Sequence, residues 1–262
     1  MFTYGLISVS VAPLRLNPAH DSEQVSQGLF GERVSIISKP QGQWIQVRCD
    51  WDDYEGWMLR SQFVEVPHKI HRKKNRFYSA GIADRINCPD GQGRAALSPG
   101  SDLFLIKRRM ILWEEKQVMF TGKKLNVDRA VFSEDQLKHW CDLFLGTPYL
   151  WGGRSLYGID CSGLAQVVFK LLGYRLPRDA SQQAQVGETL HFLQDARFGD
   201  LAFFDNKAGN INHVGILLDN KTIVHASESN GRVTMDVIDT EGIISTVHNM
   251  RTHRLRFVNR YF

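Results

Sequence analysis

The sequence predicts an α+β domain preceded by small all-β barrel modules, and three observations carry that reading. Residues 1–66 hold only short strand-like runs between turn-prone stretches. Residues 67–130 continue mostly as strand, and from residue 131 helical periods come first and hairpin strands follow. Helices followed by a run of antiparallel strands is the α+β order.

In the first region "VSIISK", "WIQVRC" and "YEGWMLR" are the strand runs, with "NPAHDS" and "PQGQ" as turns, which describes a small barrel. The basic run "HKIHRKKNR", residues 68–76, reads as a solvated linker or loop. Beyond it "LFLIK", "RMILWEE" and "QVMFTG" are strand-like and "SPGSD" and "CPDGQG" are turns, consistent with a degenerate repeat of the first barrel. Three helices are then predicted. Ser133 with Gln136 has capping-box spacing, Leu137, Trp140, Cys141, Phe144 and Leu145 share one face, and Gly146 is the stop. A second helix runs from Cys161 to Leu172 before Gly173, and "DASQQAQVG" opens a third, with Asp179 and Gln182 as its box. "DLAFF", "HVGILL" and "TIVHAS" are strands, the last two joined at "DNK".

With 262 residues, 43% hydrophobic and 23% charged, the chain has the composition of a folded globular protein. Its net charge of +4 is scattered, with no basic face on a nucleic-acid motif, so nucleic acid is not an expected partner. Cys49, Cys88, Cys141 and Cys161 form no CxxC pair or zinc-ligand spacing, so neither a metal site nor a disulfide framework is expected, and the pattern suits a reducing compartment. The N-terminal residues lack a basic segment and a cleavage signal, and no apolar run approaches a membrane span. The expectation is a cytoplasmic, monomeric protein without membrane contact.

Cys161 lies between Asp160 and Ser162 at a helix start. The positive end of a helix dipole and unpaired N–H groups stabilise a thiolate there, although most cysteines serve packing. His213 and His225 sit on the two strands of a hairpin whose turn centres near Asp219 and Asn220, which places them opposite each other on one face. One imidazole then takes the thiol proton while the second holds its ring.

"YLWGGRSLYGIDCSGLAQ", "LPRDASQQ", "GDLAFF", "HVGILL" and "IVHAS" together resemble the NlpC/P60 cell-wall peptidases over residues 131–262. The resemblance implies a papain-like fold, cleavage of γ-D-glutamyl bonds in peptidoglycan peptides, and no metal or organic cofactor. It implies Cys161 as nucleophile, His213 as base, His225 as third polar residue, and Tyr149 beside the cysteine, where an aromatic core role is the alternative. "GLFGERVSIISKPQGQWIQVRCDWDDYEGWMLRSQF" resembles a bacterial SH3 domain, and the pairing is similar to γ-D-glutamyl-L-diamino acid endopeptidases of the dipeptidyl-peptidase VI type.

In those enzymes a free N-terminal L-alanine is required, and by resemblance Glu23, Tyr54 and Asp160 hold its ammonium. An exposed loop carboxylate, a barrel-core tyrosine and a helix cap are the respective alternatives. Ser162 and Ser181 resemble positions that touch the γ-D-glutamate carboxylate, with Arg178 a further candidate; the serines read equally as helix-start hydroxyls. The expected partner is a peptide L-Ala-γ-D-Glu-diamino acid. A wall-anchored hydrolase, a non-catalytic binding module and a different Cys-His enzyme are the competing classes.

Overall fold

The computed structural model describes residues 3–87, 94–104, 106–113, 116–130 and 132–262, without the side chains at 112, 113 and 116. Cys88 and the "CPDGQG" turn lie outside the described residues, as does the end of "RMILWEE". Two compact units emerge: Met1–Ala130 with Arg154–Leu156, and Val131–Gly153 with Tyr157–Phe262. Among the described residues no helix is long and apolar enough to cross a membrane.

The first unit opens with β1 (Tyr4–Ile7), β2 (Val11–Arg15), β3 (Gln24–Leu29), β4 (Arg33–Ile36), β5 (Trp44–Cys49), β6 (Glu55–Leu59) and β7 (Phe63–Val66). They form one antiparallel sheet in the order β3-β2-β6-β5-β4-β1-β7. Alternation decides which face is inside: Ala12 and Leu14 are buried in β2 while their neighbours are half-exposed, as period-2 side-chain direction requires. Ile7, Leu14, Val34, Ile45, Val47, Met58 and Phe63 fill this core, with Cys49 among them. Burial holds the Cys49 thiol well above its ordinary pKa, as an inert packing residue requires.

The basic run is not a solvated linker throughout. It contains α1 (His68–His71), and His71 and Asn75 are buried. The His71 ring lies 4.1 Å from that of Tyr4 and its Nε2 is 2.5 Å from Asp50 Oδ2, while Arg33 donates to the carbonyls of His71 and Lys73. Charge density alone concealed this, because the long basic side chains point outward while the smaller polar ones are tied inward.

β8 (Phe77–Ser79), β9 (Arg85–Asn87), β10 (Arg94–Ala96), β11 (Met110–Trp113), β12 (Lys116–Thr121) and β13 (Lys124–Asn126) follow, giving a sheet β10-β9-β12-β11 and a ribbon β13-β8. The described residues of the expected strand "LFLIK" do not form one. Leu103 and Phe104 are buried outside any strand, so their apolar character reflects core membership rather than strand pairing. Phe30, from the β3–β4 turn, shares a core with Ile86, Leu97, Leu103, Ile111 and Phe120, which makes residues 3–130 one packed unit. β14 (Arg154–Ser155) belongs to the same unit and packs on β3, where the Arg154 guanidinium forks onto both oxygens of Glu32 at 2.9 and 3.0 Å.

The second unit begins with α2 (Glu134–Phe144), capped by Ser133, whose hydroxyl accepts from Gln136 N at 3.2 Å. Leu137, Trp140, Cys141 and Phe144 are buried as expected, whereas Leu145 is the C-cap and is 39% exposed. Helix termination rotates it off the apolar face. After β15 (Gly158–Ile159) come α3 (Cys161–Leu171) and α4 (Ala180–Gln183), the latter with the complete Asp179–Gln182 capping box. Strands β16 (Glu188–Leu190), β17 (Leu201–Asp205), β18 (Ile211–Leu217), β19 (Thr222–Ser227), β20 (Arg232–Asp239), β21 (Gly242–Ser245) and β22 (Met250–Arg260) complete the chain.

Their order is β16-β22-β17-β18-β19-β20-β21, and β22 also pairs with β21. Six strands therefore close on themselves as a barrel, around Ala202, Phe204, Leu217, Ile223, Ile238, Ile243 and Val258. Helix α3 packs outside it on β18 and β19.

Candidate active site

Local geometry places the Cys161 sulfur. The Asp160 carboxylate caps α3 by accepting from Gly163 N at 2.7 Å, which fixes Cys161 as the first helical residue. Gly163 is needed because a Cβ there would lie 2.1 Å from the Gly153 carbonyl oxygen. The same carboxylate accepts from Gly152 N at 2.8 Å, from the Ser162 hydroxyl at 3.3 Å, and from both Arg178 terminal nitrogens at 3.1 and 2.5 Å. Arg178 also donates to Ser162 Oγ at 2.8 Å and is 1% exposed.

Five donors occupy a group with about four lone-pair sites. Asp160 is thus the cap and the partner of a buried ion pair. Direct contact with a substrate ammonium would displace one of these donors. Ser162 and Arg178 are likewise drawn into this inner network, while Ser181 is exposed on α4.

The histidines meet, though not as the hairpin reading places them. Ile216 pairs with Val224 and Leu217 with Ile223, so the turn centres on Asn220 and the register carries His225 opposite Gly215, not His213. His213 is the diagonal neighbour on the same face, still within reach of a ring. The missing side chain at Gly215 provides the room: a Cβ there would lie 3.1 Å from that of His225 and 2.5 Å from Ile223 Cδ1. His213 Nε2 and His225 Nδ1 are 2.9 Å apart.

Two members were missed by sequence reasoning. His225 Nε2 lies 3.1 Å from Asp236 Oδ2, and Asp236 is held by Thr246 N and Oγ1, each 2.8 Å from its Oδ1. The His253 ring stacks on His213 with centroids 4.0 Å apart. The hydrogen bonds assign the tautomers. A carboxylate only accepts, so His225 donates from Nε2 to Asp236; its Nδ1 accepts from His213 Nε2–H, and the free lone pair of His213 is on Nδ1.

The backbone N–H groups of Val214 and Ser162 reach the Cys161 sulfur, so the thiol lies against the chain segment that carries His213. These groups and Arg178 lower the thiol pKa, yet burial and the Asp160 charge outweigh them and push it up to about 12. The expected helix-terminus stabilisation is therefore present and overridden by desolvation. His213 is held well below its ordinary value by burial, His253 and His225. Both shifts favour the neutral forms, of the thiol and of the imidazole. The Tyr149 hydroxyl is half-buried and pushed above its ordinary range by burial and then by Cys161, so it stays a donor beside the sulfur.

Glu23 and Tyr54 belong to the first unit. Glu23 is exposed just before β3, and Tyr54 is half-buried in the β5–β6 turn, not a core residue. Among the described residues no cluster of three or more His, Cys, Asp or Glu could hold a metal ion.

One prediction arises from the ring stack. His253 titrates near 6.5 unfolded but at about 4 in the fold, because burial and His225 disfavour its charge. Between those values the unfolded state binds more protons, so stability present above pH 6.5 is lost as pH falls towards 4. The loss is about 3 kcal/mol from His253 alone, and His213 adds in the same direction. Urea titrations at pH 7 and 4.5 should show it, and His253→Gln should flatten the difference; an unchanged difference would exclude His253 as its source.

Comparison with known proteins agrees with this geometry. The NlpC/P60 family matches residues 146–252 and the bacterial dipeptidyl-peptidase SH3 domain matches residues 14–63. The chain is 34% identical over 232 residues to the gamma-D-glutamyl-L-lysine dipeptidyl-peptidase of Bacillus subtilis (strain 168), covering 82% of this chain and 76% of that protein. It is 25% identical over 259 residues to dipeptidyl-peptidase 6 of Lysinibacillus sphaericus, covering 90% and 92%. The crystal structure of an NlpC/P60 family protein from Bacillus cereus ATCC 10987 superposes with a TM-score of 0.84 at 20% identity, over 98% of this chain and 99% of that one, so the fold is shared. With 34% identity over most of both chains and both domain models matched, the chain belongs to the NlpC/P60 family of cysteine peptidases.

Proposed function

We propose that the protein hydrolyses the γ-D-glutamyl-L-diamino acid bond of peptidoglycan-derived peptides that carry a free N-terminal L-alanine. The observation that carries this reading is the array of Cys161 at a capped helix start beside the segment holding His213, with His213, His225 and Asp236 linked in series. The gamma-D-glutamyl-L-lysine dipeptidyl-peptidase at 34% identity supplies the bond class.

In this reading Cys161 attacks the γ-amide carbonyl as His213 Nδ1 takes its proton. Because burial favours the neutral forms of both groups, proton transfer accompanies attack in this reading. The Cys161 N–H at the helix start and the Tyr149 hydroxyl are placed to stabilise the oxyanion. His213 returns the proton to the leaving amine, a thioester remains, and water attacks it with His213 again as base.

The amine is read by Glu23 and Tyr54, an anion and an aromatic face; Asp160, its lone pairs taken internally, acts through the position of Cys161. Ser162, Ser181 and Arg178 remain proposed contacts of the γ-D-glutamate carboxylate. The setting is recycling of wall peptides in the cytoplasm by a monomer, in keeping with the free thiols of Cys49, Cys141 and Cys161.

The test compares L-Ala-γ-D-Glu-L-Lys with its N-acetylated form, using wild type and Cys161→Ala. Hydrolysis of the free-amine peptide alone, abolished by the substitution, is the expected result. Equal cleavage of both peptides would remove the free-amine requirement, and cleavage surviving in Cys161→Ala would remove the nucleophile.

A further inference from the structure

The hairpin that carries His213 borders a cavity of about 410 Å3, lined by Asp205, Lys207, Asn212, His253 and Arg254 among others. The cavity adjoins the proposed base directly: Asn212 precedes His213 in β18, and His253 forms its wall while stacking on the His213 ring. Its wall holds an anomaly. The Asp205 side chain is 8% exposed, and its Oδ1 has no hydrogen-bond partner among the described residues. Its Oδ2 has Arg256 Nε at 3.7 Å, beyond hydrogen-bond range, and that arginine side chain is 59% exposed.

A buried carboxylate oxygen without a donor is costly, and folded proteins seldom retain one without a role. The missing donor has a natural source in the reaction. The base returns its proton to the leaving nitrogen, so the leaving residue must lie on the side of His213, where this cavity is. A diamino acid carries a second amine at the end of its side chain, a compact cation with three donors. Lys207 and Arg254, both exposed at the rim, suit its carboxylate.

The geometry points to this cavity as the seat of the leaving diamino acid, with Asp205 accepting its distal ammonium. This rests on the reaction assigned above. Asp205 is a specificity-determining residue rather than a member of the catalytic array.

The decisive substrate pair is L-Ala-γ-D-Glu-L-Lys and L-Ala-γ-D-Glu-L-norleucine, which differ by the ammonium alone. Wild type is expected to favour the lysine peptide by about 10- to 100-fold in kcat/KM. Asp205→Asn, an isosteric change, should abolish that preference while leaving the norleucine rate within about two-fold, a rate that also reports correct folding. A loss shared equally by both peptides, or a preference that survives the substitution, would overturn the assignment, the first by making Asp205 structural and the second by leaving its Oδ1 to water.

If neither peptide is cleaved, the reaction is misassigned, and NMR titration with free L-lysine and L-norleucine decides the cavity separately. Shifts at Asn212 and His253 with lysine only, lost in Asp205→Asn, support the site; their absence overturns it.

Discussion

Asp236→Asn is expected to lower kcat by about 100- to 1,000-fold with KM changed less than about two-fold. The carboxylate fixes two imidazoles in series. It accepts from His225 Nε2, which obliges His225 Nδ1 to accept from His213 Nε2 and leaves the His213 lone pair on Nδ1. An asparagine turns its amide NH2 towards His225, keeping the Thr246 bonds to the other oxygen position. His225 then donates from Nδ1, His213 must accept at Nε2, and its proton moves to Nδ1, where the base is needed. Steady-state kinetics across pH are the measurement. A fall in kcat without a change in melting temperature supports the relay, whereas parallel losses in kcat and stability would show that Asp236 merely holds the turn at Thr246.

Arg178→Leu is expected to destabilise the second unit by about 3–5 kcal/mol, nearer the lower figure. The guanidinium serves both Asp160 oxygens and Ser162 Oγ from a fully enclosed position. Its removal strands a buried carboxylate, partly compensated by Gly152 N, Gly163 N and the Ser162 hydroxyl. Arg178→Lys should recover only part of the loss, because a point charge cannot reproduce the fork. Urea titration gives the magnitude, and amide exchange in α3 localises it. A change below about 1 kcal/mol would mean that the backbone donors alone satisfy Asp160.

Much of the site was legible because its signals are local. Asp160 and Cys161 are a helix start with a cap, whereas the demand that the Gly153 carbonyl places on Gly163 shows only in the fold. The His213 and His225 pairing was legible as a hairpin but not in register, since the turn residue that sets the centre, Asn220, is one of two equivalent candidates in "DNK". Asp236 was hidden by a break in alternation. Met235 and Val237 are 36% and 45% exposed while Asp236 is buried between them, the reverse of what hydropathy suggests. Val233 and Ile238, both buried and five positions apart, are the trace of that break. His253 lies among the charged residues of "RTHRLRF", where only the closure of the sheet brings it to His213. Leu103 and Phe104 show the converse case, apolar residues that pack outside any strand.

That closure also sets an order in time. Cys161, His213, His225 and Asp236 all leave the ribosome before β22, the strand that zips between β17 and β21. Until it arrives, the ring gapes along two unpaired edges, Phe204 lacks Leu255 and Ile243 lacks His253 across the strand, and His253 is not stacked on the His213 imidazole. Nascent chains stalled before residue 250 are therefore expected to be inert towards peptide substrates and to gain activity only when synthesis resumes and adds β22. Competence thus waits on β22, and the thiol stays harmless until that strand has been made.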